Sequence, residues 1–444
     1  MRTLAQWLAL QEAVHPKSID LDLARVGAVA RELGLTEPPF PVITVAGTNG
    51  KGSVVAHLEA LLGALGASTG MFTSPHFVRY NERIRIDGIE VSDDELIAAF
   101  ERIEAARADI TLTFFEYNTL AALSIFARRG VDVGLLEVGL GGRLDATNLV
   151  DADVAVLASV GLDHRDWLGD TLEQIGAEKA GIFRRARPAV LGTPQMPQSV
   201  LAAIAHTGAV PVMAERDFNW HPHASGWDYQ GLALTLRNLP PSALAGSIQY
   251  RNAATAIAAL EALGRGADSR TASTASTALR ARLAPLDERR AALALAGVRL
   301  AGRFQVVPGE VEWILDIAHN EPAARVLAAQ LRERPMPPPR AGRGTSQRTF
   351  AVIGVLADKD AAAIAVALAD AVDRWIVCAL PGPRGMSAAQ LAARLARDPA
   401  TVELAQSVTE GCEAARAAAR PGDRVVVCGS MYSVGPALQW LRIY

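Results

Sequence analysis

One glycine-rich segment constrains the fold more than any other part of the sequence: Val45-Ala46-Gly47-Thr48-Asn49-Gly50-Lys51-Gly52-Ser53. A short apolar run over 41–45 leads into it, and apolar residues at helical spacing follow over 54–65. This order of strand, glycine-rich turn, lysine, hydroxyl and helix is typical of a phosphate-binding loop, in which backbone N–H groups and the helix N-terminus face the phosphates. Lys51 can reach the β- and γ-phosphates of a nucleotide, and the Ser53 hydroxyl can bind Mg²⁺.

The segment departs from the strict phosphate-loop pattern G-x-x-x-x-G-K-[ST]. Val45 occupies the first glycine position, and Gly52 separates Lys51 from Ser53. The alternative interpretation is a glycine-rich turn that only joins a strand to a helix. Other features of the chain favour phosphate binding.

Strands and helices alternate along most of the chain, which predicts an α/β fold with a parallel sheet covered by helices on both faces. After the first strand, buried strands are predicted over 67–72, 131–138, 153–159 and 188–192. The alternation resumes after 300, with strands near 349–356, 374–380 and 424–428 and helices near 321–333, 360–372, 387–397 and 408–419. We therefore predict a P-loop ATP-binding domain over 1–296 and a smaller Rossmann-like α/β domain over 297–444.

Polar residues follow four successive predicted strands: Lys51 and Ser53, then Ser74, Glu137 and His164. Ligands of such sheets bind beyond the carboxyl ends of the strands, where these residues would meet. Glu137 directly follows a buried apolar run, so its carboxylate needs a cation or a donor. A hydroxyl, a carboxylate and an imidazole around nucleotide phosphates suit Mg²⁺, although histidine is an uncommon ligand of that ion. Taken singly, Ser74 and His164 are better explained as ordinary loop residues.

Composition narrows the class of protein. Half of the 444 residues are hydrophobic, a fifth are charged and the formal net charge is -3, which is typical of a soluble globular chain and gives no electrostatic case for nucleic acid or an anionic membrane. The cysteines (Cys378, Cys412 and Cys428) have no paired spacing, so we expect buried free thiols. The sequence has no signal-peptide layout and no apolar run of transmembrane length, so a cytoplasmic enzyme is expected.

Other segments receive structural predictions only. A β-hairpin is expected over 220–238, and Ala-rich helices are expected over 252–263 and 272–283. The proline-rich stretch 335–348 is predicted to be a surface loop.

With these motifs assembled, the sequence resembles the folylpolyglutamate synthase/dihydrofolate synthase family, within the Mur-ligase-like ATP-dependent amide ligases. The similarity runs almost end to end, and its most specific segment is the glycine-rich stretch 137–148. Further matching segments are 47–53, 73–76, 82–84, 163–164, 178–181, 302–305, 316–320 and 358–360. The extra glycine of the phosphate loop is also this family's version.

The resemblance implies a nucleotide site, a metal site and a modified lysine. ATP would bind Thr48, Asn49, Gly50, Lys51, Gly52, Ser53, Asn252, Arg303 and Asp316. Two Mg²⁺ ions would be held by Ser53, Ser74, Glu137 and His164. Lys51, Lys179 and His319 would be catalytic, with Lys179 carbamylated and His319 near the phosphates. The pterin substrate would lie near Asp20, Leu21, Asp22, Leu23, Thr113, Leu144, Asp145 and Ala146.

The expected function is ATP-dependent ligation of L-glutamate to dihydropteroate and to tetrahydrofolate, through an acyl phosphate, by a monomer. Stretches 112–116 and 163–169 look most like the bifunctional bacterial enzymes, and either activity alone is a close rival. A ligase of cell-wall precursors is a second hypothesis, although such enzymes generally have a further N-terminal domain. A nucleotide switch that hydrolyses ATP slowly is a third hypothesis, and it would not depend on glutamate.

Overall fold

A computed structural model of the chain describes residues 2–17, 19–265, 279, 285–337 and 347–444. The helix expected over 272–283 lies outside the described residues except for Leu279, and so does most of the proline-rich loop expected over 335–348. The described residues form two large sheets with helices on both faces and one small antiparallel sheet.

The helices and strands are numbered in chain order. The helices are α1 (Leu4–Val14), α2 (Leu23–Glu32), α3 (Lys51–Ala64), α4 (Asp93–Arg107), α5 (Phe114–Arg129), α6 (Arg165–Leu168), α7 (Leu172–Ala180), α8 (Gln198–Thr207), α9 (Ile248–Arg265), α10 (Glu288–Gly297), α11 (Glu321–Glu333), α12 (Ala361–Leu368), α13 (Ala388–Leu395), α14 (Val408–Ala418) and α15 (Met431–Leu441). The strands are β1 (Val42–Ala46), β2 (Thr69–Phe72), β3 (Ile84–Ile86), β4 (Ile89–Glu90), β5 (Val133–Glu137), β6 (Val154–Leu157), β7 (Pro188–Leu191), β8 (Val210–Met213), β9 (Asn219–His223), β10 (Gly226–Gln230), β11 (Thr235–Leu239), β12 (Gln305–Val307), β13 (Glu312–Leu315), β14 (Thr349–Ile353), β15 (Arg374–Cys378), β16 (Val402–Ala405) and β17 (Arg424–Cys428). Among the described residues, no helix combines the length and the apolar character that crossing a membrane would require.

The first large sheet has eight strands in the order β4-β3-β2-β5-β1-β6-β7-β8. Its six strands from β2 to β8 run parallel, as predicted, whereas β3 and β4 form an antiparallel edge. The edge hairpin turns at Asp87 and Gly88, which both have positive φ, as a type I′ turn requires. β1 lies at the centre, so the glycine-rich segment that follows it opens at the middle of the sheet's carboxyl edge.

The two faces of this sheet are covered by different helices. α3, α9 and α10 pack together over one face, where Leu58, Leu61 and Leu135 are fully buried. α2, α4 and α5 cover the other face, where Phe72 and Leu136 are fully buried. Adjacent residues of β5 therefore point to opposite cores, which is why this strand is continuously apolar up to its last residue.

The second large sheet has six strands in the order β12-β13-β17-β14-β15-β16. Its strands are parallel apart from the antiparallel β12, which confirms the predicted second α/β domain fold. Cys378, Cys412 and Cys428 are buried free thiols, as expected.

Two local predictions are corrected, and one short strand was not predicted. The region expected to be one hairpin forms three antiparallel strands, β9 to β11. The helix expected to begin at Asn252 begins at Ile248, one turn earlier. The edge strand β16 was not predicted. It is only four residues long, and its two middle residues, Glu403 and Leu404, are both exposed, so it has no buried apolar run.

Candidate active site

The glycine-rich segment forms a tight loop from β1 into α3. Gly50 is the N-cap of α3 with φ of 86°, a left-handed conformation that favours glycine. A Cβ atom at Gly50 would lie 3.1 Å from Asn252 Oδ1, and one at Gly47 would lie 3.1 Å from the backbone N of Ser159. The path of the loop therefore requires glycine at both positions. The first turn of α3, with its free backbone N–H groups, lines a cavity of about 420 Å³.

The first part of the loop is anchored to the end of β6. The Thr48 hydroxyl donates to the Gly161 carbonyl (3.0 Å) and accepts from the Gly161 N–H (2.9 Å). The Asn49 N–H donates to Ser159 Oγ (3.1 Å), and that hydroxyl donates back to the Asn49 carbonyl (2.9 Å). The Thr48 side chain thus has a structural use that its assignment as a nucleotide contact did not anticipate.

Two lysines converge on one backbone carbonyl. Lys51 Nζ and Lys179 Nζ donate to the Gly47 carbonyl oxygen at 3.1 and 3.2 Å. Burial, with a further contribution from the charge of Lys51, lowers the pKa of Lys179 to about 7. Near neutral pH, a substantial fraction of the Lys179 side chains is therefore a neutral amine.

Ser53, Ser74 and Glu137 line the same cavity as the phosphate loop. Glu137 is buried at the end of β5, and the Ser74 N–H donates to its Oε2 at 3.4 Å. Burial raises the pKa of Glu137, and the charges of Lys51 and Arg303 oppose that shift. A buried carboxylate whose hydrogen bond is this long keeps lone pairs for a cation, so this donor set fits a divalent ion.

His164 reaches the cavity from the turn after β6, where it adopts φ of 52°. Its Nε2 lies 3.9 Å from Asp163 Oδ2. Burial lowers the pKa of His164 to about 4, so the imidazole is neutral at physiological pH and can offer a lone pair. In the described part of the chain, no group of three or more His, Cys, Asp and Glu side chains is arranged to hold a metal, so the predicted ligand set also depends on the hydroxyls of Ser53 and Ser74.

The second sheet contributes Asp316 and Arg303 to the same cavity. Asp316 accepts from the N–H groups of Phe304 and Ala318, both at 2.8 Å. Burial lowers the pKa of Arg303, and the nearby carboxylates of Asp316 and Glu137 oppose this shift. Asn252 on α9 is buried beside Gly50, so these predicted nucleotide residues are brought together.

Four residues join the two halves of the cavity, and the sequence assigned a role to only one of them, His319. Asp163 lies 2.5 Å from Lys359 Nζ, 3.3 Å from His319 Nε2 and 2.9 Å from Asn320 Nδ2. Although burial opposes it, the hydrogen bond with His319 and the nearby basic groups hold the pKa of Asp163 well below its usual range. Asp163, Asn320 and Lys359 all lie in segments that matched the family pattern, so that match was a usable signal.

A second cleft of about 1820 Å³ adjoins the cavity and shares Asp163, His164, His319 and Lys359 with it. Ile19 and Phe114 line this cleft, next in sequence to predicted substrate residues. The predicted residues themselves are not among its lining, which includes neither 20–23 nor 113 nor 144–146.

Three of the predicted substrate residues cap helices. The side chains of Asp22, Thr113 and Asp145 accept N–H groups at the first turns of α2, α5 and the short 3₁₀ turn Ala146–Leu149. Arg25 binds Asp20 at 2.9 Å and Glu116 at 3.2 Å, which brings the 20–23 segment to the start of α5. Their contact with substrate remains a prediction.

A phosphate loop on a parallel sheet faces a second α/β domain across a polar cavity, an arrangement that fits the ATP-dependent ligases of the Mur type, which the family matches identify. The family description "Mur ligase middle domain" matches residues 45–192, and "Mur ligase, glutamate ligase domain" matches residues 302–431. The chain is 42% identical to the dihydrofolate synthase/folylpolyglutamate synthase of Escherichia coli K12 over 98% of this chain and 95% of that protein.

Two solved structures agree along the whole chain. E. coli FolC in complex with DHPP and ADP is 41% identical with a TM-score of 0.88, and the alignment covers 100% of this chain and 98% of that one. A bifunctional folylpolyglutamate synthase/dihydrofolate synthase with Mn, AMPPNP and L-glutamate bound is 40% identical with a TM-score of 0.86, over 100% and 98% of the two chains. The chain therefore belongs to the dihydrofolate synthase/folylpolyglutamate synthase family, and it is an ATP-dependent glutamate ligase.

Proposed function

We propose that this enzyme adds L-glutamate first to dihydropteroate and then to tetrahydrofolate, in the manner of the bifunctional relatives. The observation that carries this proposal is the adjoining pair of cavities, one around the phosphate loop and one beside Ile19 and Phe114, with His319 and Lys359 on their shared wall. ATP in the first cavity and a folate carboxylate entering from the second would meet at that wall. The bound DHPP, ADP, AMPPNP and L-glutamate in the related structures support the same assignment.

Lys51 and the backbone N–H groups at the start of α3 would hold the phosphates, with Arg303 and Asp316 contacting the nucleotide from the second sheet. Ser53, Ser74, Glu137 and His164 would hold divalent ions. Mn in two related structures with AMPPNP supports a divalent metal, for which Mg²⁺ is our proposed physiological choice. When bound, such an ion neutralises phosphate charge during transfer.

The acceptor carboxylate would attack the γ-phosphorus of ATP, which breaks the bond to ADP and gives an acyl phosphate. The amine of glutamate would then attack the acyl carbon and release phosphate. The protonated amine must lose a proton before it attacks, and His319 is the proposed base. Its Nδ1 lies 2.9 Å from the Ile317 carbonyl and donates to it, so Nε2 is the nitrogen that would take up the proton of the amine, and Nε2 donates to Asp163 only when the ring is protonated. A proton taken up there would be stabilised by Asp163, 3.3 Å away.

Lys179 is proposed to be carbamylated. The neutral amine adds CO₂ and releases one proton, giving a carbamate anion, and the pKa of about 7 supplies the neutral amine that this addition requires. Carbamylation would replace the buried amine of Lys179 by an anion next to the positive charge of Lys51. A ¹³C NMR signal from protein equilibrated with [¹³C]bicarbonate should be present and should be lost in Lys179→Met.

The domain boundary is proposed to follow Ala296. α10 packs against α3 and so belongs to the first domain up to its last residue, Gly297, which lies one position beyond the proposed boundary, while the second family match begins at residue 302. A monomer is our proposal for the oligomeric state. The free buried cysteines support a reducing compartment such as the cytoplasm.

An isotope experiment tests the acyl phosphate route. Dihydropteroate labelled with ¹⁸O in its carboxylate should transfer one ¹⁸O to the released phosphate, because the attacking carboxylate oxygen stays with phosphorus. Phosphate without ¹⁸O, formed together with the amide product, would contradict the route.

A further inference from the structure

His57 is a fully buried histidine on α3 that no step above uses. It lies one helical turn after Ser53, on the helix that begins at the phosphate loop. His57 Nδ1 lies 2.7 Å from the Ser53 carbonyl oxygen, and Nε2 lies 2.9 Å from Ser242 Oγ. Both ring nitrogens are therefore engaged.

The direction of each hydrogen bond is fixed by its partner. A carbonyl oxygen only accepts, so Nδ1 carries the proton and donates to Ser53. Ser242 Oγ accepts the Leu244 N–H at 3.2 Å, and its hydroxyl proton is free to be donated to Nε2. The result is a one-way relay from Leu244 through Ser242 and His57 to Ser53.

The relay joins the metal-site helix to the segment that leads into α9. Leu244 packs with Ala56 and Val298 in a small apolar cluster, which keeps this segment against α3. α9 then places Asn252 next to Gly50. The carbonyl of Ser53 is thus tied to the same part of the chain that supports the phosphate loop.

We propose that His57 is a positioning residue for the metal ligand Ser53. The bond from Nδ1 supplements the ordinary backbone bond to the Ser53 carbonyl and fixes the first turn of α3, from which the Ser53 hydroxyl faces the cavity. This inference rests on the proposed metal role of Ser53. Burying a polar side chain costs desolvation free energy that an apolar residue at this position would avoid. The orientation of Ser53 by the His57 ring accounts for a histidine at this position.

Two substitutions separate the two hydrogen bonds of the His57 ring. The inner bond joins Nδ1 to the Ser53 carbonyl, and the outer bond joins Nε2 to the Ser242 hydroxyl. In His57→Asn, the amide nitrogen lies near the position of Nδ1 and can still donate to Ser53. In His57→Gln, the longer side chain can reach Ser242 but leaves the Ser53 carbonyl. His57→Leu loses both hydrogen bonds, and Ser242→Ala loses only the outer one.

The measurement is Mn²⁺ affinity in the presence of AMPPNP, followed by electron paramagnetic resonance, with the melting temperature recorded for every variant. Loss of the inner hydrogen bond in His57→Gln and His57→Leu should weaken Mn²⁺ binding about fivefold. His57→Asn should bind Mn²⁺ within about twofold of the unaltered protein, even though asparagine lowers helix propensity and hence the melting temperature.

Mn²⁺ affinity that follows the melting temperature across all variants, with His57→Asn as weak as His57→Gln, would overturn the proposal. Ser53→Ala is the reference that tests the proposed metal role of Ser53 separately from the positioning role of His57. If Ser53→Ala binds Mn²⁺ normally, the metal role of Ser53 fails and this inference fails with it. If Ser53→Ala is weak while His57→Leu is normal, only the positioning role of His57 is excluded.

Discussion

Lys359 Nζ lies 2.5 Å from Asp163 Oδ1, although 196 positions separate the two residues and they lie in loops that follow strands of different sheets. Each side chain is 7% exposed. A buried pair of this kind is expensive to break, because removing one partner leaves an uncompensated charge. The pair thus fixes the second sheet against the turn that carries His164.

Lys359→Met should lower the free energy of unfolding by up to about 3 kcal/mol, because the buried Asp163 would lose its nearest cation and keep only His319 and Asn320 as partners. The double variant with Asp163→Asn should recover part of that loss. Denaturant unfolding of the single and double variants measures the coupling. The exposed pair Arg325–Glu321 is the control, and Arg325→Ala should cost no more than about 0.5 kcal/mol. Equal costs at the two sites would contradict the structural role of Lys359.

Asn320 connects the phosphate loop to α11. Its side chain exchanges hydrogen bonds with the Asn49 amide at 3.1 and 3.2 Å, and it also caps α11 by accepting the Ala323 N–H at 3.0 Å. Serine caps helices as well as asparagine but is too short to reach Asn49. Asn320→Ser should therefore keep the helix cap, lower the melting temperature through loss of the Asn320–Asp163 hydrogen bond, and raise KM for ATP about tenfold, which corresponds to the loss of one or two hydrogen bonds to Asn49. An unchanged KM for ATP would show that the Asn49 contact has no part in nucleotide binding.

The buried amine of Lys179 makes stability depend on pH in a defined window. The folded-state pKa is about 7 and the ordinary value is 10.5, so the unfolded chain binds the proton more tightly. The resulting penalty is full below pH 7 and disappears as the pH rises towards 10.5. In CO₂-free buffer, the unaltered protein should gain stability relative to Lys179→Met between pH 7 and pH 10. A difference that is constant over this range would mean that Lys179 is not perturbed.

Gly435 on α15 allows close contact with the loop that follows Ser74. A Cβ atom there would lie 2.5 Å from the Phe77 carbonyl oxygen, a backbone atom that cannot move without shifting the loop. Gly435→Ala should reduce kcat/KM at least about tenfold, because the displaced loop contains the proposed metal ligand Ser74.

Gly63 on α3 is the matched control for this substitution. Nothing lies within 4 Å of a Cβ atom built there, so Gly63→Ala should preserve activity and stabilise the protein by about 0.5–1 kcal/mol. Equal activities for Gly435→Ala and Gly63→Ala would contradict the proposed link between Ser74 and α15.

The sequence predicted the features that depend on neighbouring residues. The phosphate loop followed from glycines beside Lys51, and the placement of Glu137 followed from the apolar run before it, since both signals lie within one strand and turn. The α/β class and the family are confirmed by the fold and the comparisons. The roles of the individual site residues and the domain boundary stay predictions.

The contacts between the two large sheets were not predicted, because they join residues that are far apart in the sequence. Asn49 and Asn320 are 271 positions apart, so no local pattern pairs them. The capping uses of Asp22 and Thr113 were also missed, although Thr113 followed by Glu116 has the spacing of a capping box. The family pattern implies a substrate role for these residues, whereas their side chains form local hydrogen bonds that cap helices.

ADP release tests the central claim most directly. Purified protein with Mg²⁺, ATP and L-glutamate should release ADP when either dihydropteroate or tetrahydrofolate is added, and should release little when glutamate or the folate is omitted. Turnover with only one of the two would restrict the enzyme to that single ligase activity. Folded protein that releases no ADP with either compound, or releases it equally without glutamate, would contradict the assignment as a folate–glutamate ligase.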